Sequence, residues 1–478
     1  MSVEQRQQEL ARRRSNYRQR KQVKTSDTSD MRTMMSFQDL TNDNLAFRFY
    51  QRAHGREVEP STTHASRVPF PGHNAGKRAF LPRIKLKITE GRRKNHTFIT
   101  CNDEGAIYLE AKVNQTMVEF LTPPKLQFLN KLLPCEPNKM HQNNGEEDLP
   151  QVLVQVNIFN CGGIAIGTCN LHTLLDGCSG SLFQTTWAAI CRGRPSDELP
   201  RPDFSSASSF FPPNDNLILH DHVGKNDNEV LDVQKKCSTR RFVFGLESIN
   251  ALRDKAKDDD YNDSDNGNDY ERSKFPTKYE VLAAFIWKHM TLACKKEGGV
   301  DSKRPTLAIH IVDMRRRMGE PFSKYTIGNI LWPVMVFCEE VNEESDIKYL
   351  VRICKEKFGK VSRELFLRVK NDTSMLGSNE CVDLPQGVET KCPIPVVLTS
   401  WCGLNFSELD FGWGKPYWVG VRGGDQETLP NVAVIMETDE GMEAWLTMEM
   451  KHIGNLENDM EFLKLALPNP SVSNTLLV

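Results

Sequence analysis

Residues 152–191 read VLVQVNIFNCGGIAIGTCNLHTLLDGCSGSLFQTTWAAIC, and strand, turn and helix patterns follow one another within them. Val152–Phe159 is rich in β-branched and apolar residues, with Gln155 and Asn157 on one face, which predicts a strand with one polar side. Asn160-Cys161-Gly162-Gly163 is a turn signal and Ile164–Thr168 is a second apolar run, so the pair reads as a hairpin. Leu182, Phe183, Trp187, Ala188 and Ile190 fall close to helical spacing and predict a helix over Ser181–Cys191. Between strand and helix stands His172-Thr173-Leu174-Leu175-Asp176-Gly177.

The same alternation recurs on either side. Thr277–Leu292 (TKYEVLAAFIWKHMTL) predicts a helix, with Pro276 and Thr277 near its start. Strand-like runs stand at Leu307–Val312, Val396–Leu398 and Asn431–Met436, and short apolar stretches at Phe98–Cys101 and Ala106–Glu110. Strands and helices alternate in both halves, which argues for an α/β protein, and 478 residues are too many for one core. Residues 195–235 hold five prolines and read as a linker. Residues 254–275 are an acidic low-complexity stretch, expected to be an exposed loop. Residues 1–80 show little period beyond a short helix near Gln5–Lys21.

Composition narrows the function classes. The chain is 39% apolar and 26% charged, as expected of a soluble globular protein. No window has the apolar length of a membrane helix, and the polar N-terminus does not read as a secretory signal. Thirteen cysteines, scattered and without CxxC spacing, favour reduced thiols in a cytoplasmic protein over a disulfide frame or a zinc site. The net charge of −2 hides a basic first 95 residues, about +12, against about −14 in the rest. The basic residues are mixed with Gln, Ser and Thr. They predict a solvated, poorly ordered arm rather than a surface for nucleic acid or membrane.

His172 is the first residue that suggests chemistry. A neutral imidazole takes a proton near neutral pH, which suits a general base. Of eleven histidines, only His172 has an aspartate four residues on. Taken alone, that spacing equally describes a buried structural histidine beside a helix-capping Asp176. A metal fits less well, because no further ligand stands at suitable spacing nearby. Asp410-Phe411-Gly412-Trp413-Gly414, preceded by Ser400-Trp401 and followed by Lys415-Pro416, reads as a tight turn with close backbone approach. Gly177-Cys178-Ser179-Gly180-Ser181 is an incomplete G-x-S-x-G, with Ser181 where the second glycine of a hydrolase elbow should stand.

HxxxDG near the middle and DFGWGKP near the C-terminus together resemble the signature pair of the BAHD acyltransferases. Cys101–Gly105 with Glu110-Ala111-Lys112 looks like the family's early strand and turn. Thr277–Lys288 looks like its helix before the acyl-donor region. Asp313–Met318 with Gly328-Asn329 resembles its Arg-containing strand and Gly-Asn turn. The resemblance runs from about residue 90 to the C-terminus, with a texture nearest the alkaloid acetyltransferases of the vinorine synthase type.

The resemblance implies two similar-sized domains of mixed sheet with flanking helices, chloramphenicol acetyltransferase-like, at residues 86–200 and 236–478. A long crossover linker, 201–235, joins them, and residues 1–85 are left as a disordered basic arm. It implies transfer of an acyl group, acetyl from the alkaloid-acetyltransferase likeness, from acyl-CoA to a hydroxyl or amine of a plant specialised metabolite. The enzyme would be a cytoplasmic monomer with no covalent intermediate, no permanently bound cofactor or metal, and no nucleic-acid or membrane partner. His172 would be the base in a channel between the domains. Asp176 would point away from the substrate and pair with Arg315, while Asp410, Gly412 and Gly414 shape the second domain. The oxyanion donor would be the indole N–H of Trp413 or, second, Ser400. Of the family's Pro-Leu-Ala-Gly-Arg-like segment only Gly91-Arg92 remain, and residues 1–85 match nothing in it. The alternative is therefore a catalytically impaired member with a binding role or none.

Overall fold

The computed structural model describes residues 44–50 as backbone, and 106–135, 152–172, 174–211, 235–257, 276–296, 303–372, 385 and 393–472 in full. The first half holds β1 (Asn44–Tyr50), β2 (Ile107–Val113), α1 (Met117–Leu121), a 3-10 helix (Leu126–Leu132), β3 (Val152–Phe159) and β4 (Ile164–Asn170). Helices α2 (Gly177–Cys191) and α3 (Ser206–Phe210) lead out of it. The second half opens with β5 (Lys235–Gly245), α4 (Leu246–Lys255), α5 (Lys278–Lys295), β6 (Thr306–Asp313) and the single turn α6 (Arg315–Met318). Next come β7 (Leu331–Cys338), α7 (Ile347–Lys360), α8 (Arg363–Asn371) and β8 (Ile394–Ser400). The last elements are β9 (Trp418–Val421), β10 (Gly424–Thr428), β11 (Val432–Thr438), β12 (Gly441–Glu449), α9 (Met450–Glu457), α10 (Met460–Leu463) and β13 (Leu467–Pro468).

Among the described residues the strands form two mixed sheets. The first has the order β2-β3-β4-β1-β9, with β2 and β3 parallel and the other pairs antiparallel. The second has the order β10-β5-β12-β11-β8-β6-β7, with β13 also beside β5. Its parallel pairs are β11–β8 and β8–β6. Mixed sheets with flanking helices are the fold that the family resemblance implies, and the α/β class is the one that the alternation of strands and helices predicts.

The predicted hairpin forms, with Ile158 opposite Ile164. The helix predicted from Ser181 starts one turn earlier, at Gly177, because Asp176 caps it and accepts a hydrogen bond from Ser179 N. The helix predicted over Thr277–Leu292 becomes α5. Its start is a capping box, in which Thr277 Oγ1 accepts from Glu280 N at 3.2 Å and Glu280 Oε2 from Thr277 N at 2.8 Å.

The polar side of β3 is not solvent-facing. Gln155 and Asn157 are buried under the 3-10 helix, donating to Lys131 O at 3.1 Å and Leu132 O at 2.9 Å. Two strands also cross the domain limits given above. Over residues 44–50 the expected disordered arm is β1, paired with β4. From the opposite end of the chain, β9 joins the first sheet beside β1. The rest of 1–85, Gly91-Arg92, the Phe98–Cys101 run, Cys101–Gly105, residues 212–234 of the linker and 258–275 of the acidic stretch lie outside the described residues. Asp254 and Lys255, placed in that acidic stretch, belong to α4.

One apolar core surrounds α5, which is buried nearly all round. Another joins the halves: Met436 and Trp445 of the second sheet share it with Phe120, Leu129, Phe159 and Trp418. Trp445 is 1% exposed, and truncating such a side chain costs ~3–5 kcal/mol. The described cysteines are free thiols. None of the described helices is long and apolar enough to cross a membrane.

Candidate active site

The buried strand β4 ends at Asn170, and the loop beyond it is pinned from below. Leu171 and Leu175 are buried, and Leu174 N and Leu175 N both donate to Leu171 O, at 3.1 and 3.0 Å. His172 rides on this turn, 8% exposed, one short loop before the capped start of α2.

Asp176 is wholly buried and pairs with the second half of the chain. Arg315 Nη1 donates to its Oδ2 at 2.7 Å and Nη2 to its Oδ1 at 3.0 Å. The backbone N–H groups of Ser179 and Ile330 complete the carboxylate's set, at 2.9 Å each. The rest of the guanidinium is equally committed. Its Nε donates to Thr326 O at 3.0 Å, Nη1 to Asp313 Oδ1 at 2.8 Å, and Nη2 to Gly328 O and Ser179 Oγ at 3.1 Å each. Burial opposes its charge, but the carboxylates of Asp176 and Asp313 hold Arg315 above its ordinary pKa. A planar fork matched to a carboxylate fixes angle as well as distance. The His172 loop is therefore referenced to the second half of the chain.

The serine and cysteine of the hydrolase alternative do not form a nucleophilic site. Ser179 lies buried in the first turn of α2 and its Oγ donates to Gly328 O at 3.0 Å. Burial pushes the Cys178 thiol up to about 11, so it is not a ready thiolate.

The Asp410–Gly414 loop is a self-contained turn. Asp410 Oδ1 accepts from Gly412 N at 2.8 Å and Gly414 N at 2.9 Å. Both glycines have φ near +107° and +106°, a backbone that side chains other than glycine strain to adopt. Burial raises the Asp410 pKa, but these donors and Arg192 outweigh it and hold the carboxylate below its ordinary value. The loop docks on the far end of α2: Arg192 lies 3.5 Å from Asp410 Oδ2, and the Phe411 ring packs 4.7 Å from Trp187. Trp413 stacks on Phe411 and is 39% exposed. Trp187 stands ten residues past Gly177, ~15 Å along the axis. The first-choice oxyanion donor is therefore at the opposite end of α2 from His172.

Ser400 is differently placed. It ends the parallel strand β8, and the loop after it crosses onto the first turns of α2. There Ser181 Oγ donates to Leu404 O, and a Cβ on Gly177 would lie 2.8 Å from Leu404 Cδ1. Trp401 and Leu174 pack against the same apolar clusters. The structure thus brings Asp176, Arg315 and the loop after Ser400 together around the start of α2, and sets Asp410, Gly412, Trp413 and Gly414 apart from them. Ser179, Thr326 and Leu404 belong to the assembly and were not legible in sequence. The one available signal was the position of Ser179 three residues after a capping aspartate.

The sequence profile of the Transferase family matches residues 86–463. Limonoid 21-O-acetyltransferase of Melia azedarach is 30% identical over 384 residues, spanning 78% of this chain and 80% of that one. The crystal structure of vinorine synthase aligns over 91% of this chain and 94% of its own, with a TM-score of 0.64 at 23% identity. That of F. graminearum TRI101 complexed with coenzyme A and deoxynivalenol aligns over 92% and 98%, with a TM-score of 0.66 at 17% identity.

Proposed function

The chain belongs to the Transferase family of BAHD-type acyltransferases, and on that premise we propose that it acylates a hydroxyl of a plant specialised metabolite from acyl-CoA with His172 as general base. Acetyl is the preferred acyl group, on the strength of an acetyltransferase among the relatives. A structural neighbour that binds coenzyme A together with a small molecule supports the two-substrate arrangement.

One observation carries the reading: His172 sits on a loop clamped to the other half of the molecule by the Asp176–Arg315 fork. A base held this way keeps its position through a turnover in which two substrates arrive from different sides. The imidazole takes the acceptor hydroxyl's proton as that oxygen attacks the thioester carbonyl. A donor at the developing oxyanion lowers the barrier, and Ser400 is the candidate beside this end of α2. The tetrahedral intermediate collapses with loss of the thiolate, which takes the proton back from the imidazolium. Asp176 orients the loop and touches no substrate, unlike the aspartate of a serine-protease triad.

The test is release of free thiol from acetyl-CoA with a panel of alcohols. Release only when an acceptor is present is the expected result. Release without acceptor would indicate a hydrolase, and none with any acceptor would support the impaired alternative.

A further inference from the structure

Asp203 stands on the crossover between the halves, and its hydrogen bonds run towards the site. Its N donates to Tyr325 O and its O accepts from Ile327 N, both at 2.8 Å, a parallel bridge with Thr326. The carboxylate divides its work. Oδ1 accepts from Ser205 N at 2.9 Å, Ser205 Oγ at 2.8 Å and Ser206 N at 3.1 Å, which turns the chain into α3. Oδ2 accepts from Thr326 Oγ1 at 3.3 Å. Below α3, Phe210 packs 5.2 Å from Phe322, in the same loop as Thr326.

Thr326 is wholly buried, and its carbonyl receives Arg315 Nε at 3.0 Å. Two residues on, Gly328 O receives Arg315 Nη2 at 3.1 Å and Ser179 Oγ at 3.0 Å. The guanidinium thus lies between Asp176 and the Thr326–Gly328 strip, and Asp203 grips that strip from outside. Burial acts to protonate Asp203, but the donors from Ser206 and Ser205 outweigh it and hold its carboxyl below the ordinary carboxylate range.

We infer that Asp203 is a positioning residue for acyl transfer: it holds Thr326–Gly328, that strip sets Arg315, and Arg315 sets the Asp176 loop carrying His172. The inference rests on the reading of His172 as the base. Capping α3 alone would be a different role, and two variants separate them. Asp203→Ala removes both functions. Thr326→Val removes the Oδ2 contact, with the bond that Thr326 Oγ1 accepts from Ser323 N at 3.0 Å, and leaves the turn into α3 held by Oδ1.

The experiment measures kcat and KM for acetyl-CoA and an accepted alcohol, with melting temperature, for Asp203→Ala, Asp203→Asn, Thr326→Val, the Ala/Val double variant and His172→Ala. Asp203→Ala and Thr326→Val should each lower kcat on the order of tenfold with KM within about twofold. The double variant should lose no more than either single, because both break one chain of contacts. Asparagine at 203 keeps an acceptor for the Ser205 and Ser206 N–H groups and can donate to Thr326 Oγ1, so it should restore most of kcat. Wild-type kcat in Thr326→Val, or a loss in Asp203→Ala seen only in melting temperature, overturns the inference. His172→Ala keeps the two readings apart. If it abolishes turnover while Thr326→Val is normal, only the role of Asp203 falls. If it retains turnover, the base reading falls and this inference with it.

Discussion

Arg315 and Asp176 form a two-pronged ion pair, at 2.7 and 3.0 Å, between residues 139 apart in sequence. Both are at most 2% exposed. A buried pair of this kind repays its desolvation only when every donor and lone pair is used, and here the backbone of Ser179, Thr326, Gly328 and Ile330 uses them. The pair fixes where the His172 loop stands relative to the second sheet.

Arg315→Met leaves the Asp176 carboxylate buried without its cation. The expected loss is ~3–5 kcal/mol, read as a lower urea midpoint. A loss under ~1 kcal/mol would show that the pair is not the clamp described here.

Gly167 is a close-approach glycine in β4, the strand that leads to His172. A Cβ there would lie 2.1 Å from Leu132 O, main chain that cannot step aside, whereas one on Gly163 would meet the flexible end of Met117 at 2.7 Å. Gly167→Ala should therefore cost more than ~2 kcal/mol and Gly163→Ala clearly less. Equal denaturation midpoints for the two would contradict the packing of the 3-10 helix on β4.

Trp413→Phe deletes the indole N–H and keeps a ring to stack on Phe411. Losing an oxyanion donor costs ~10²–10³ in kcat, and with Trp413 at the far end of α2 the expected change is below about twofold. Ser400→Ala is the informative partner: its kcat should fall by that larger factor. The opposite pattern would return Trp413 to the site.

Burial lowers the pKa of His310 to about 3, and its Nδ1 lies 3.1 Å from Tyr279 OH. The unfolded chain takes up this proton near pH ~6.5 and the folded chain does not, so the contribution is present above that pH. It is lost as pH falls towards 3. The stability difference between wild type and His310→Gln should shrink by ~1.4 kcal/mol per pH unit below ~6.5. A difference flat from pH 7 to 5 would mean that His310 is not held neutral.

Legibility followed local period. The β3–β4 hairpin, α2 and α5 could be read because alternation and helical spacing repeat within each. Gln155 and Asn157 marked one polar side of β3, but not that it is buried, because nothing local shows the Lys131 and Leu132 carbonyls that satisfy these amides. Strand β9 is four residues, WVGV, too short for any period, and its partner β1 lies more than 360 residues earlier. At the site, His172 drew attention through its spacing to Asp176, but Arg315 entered only through family likeness, since nothing local marks a pairing so distant in the chain. Asp203 and Thr326 act through bonds between loops, which leave no pattern at all.

The most direct measurement compares wild type and His172→Ala in thiol release from acetyl-CoA, with and without accepted alcohols, alongside their melting curves. Acceptor-dependent release should fall ~10²–10⁴-fold in the variant while its melting temperature stays that of the wild type. Turnover retained in a folded His172→Ala protein would contradict the assignment of His172 as the base.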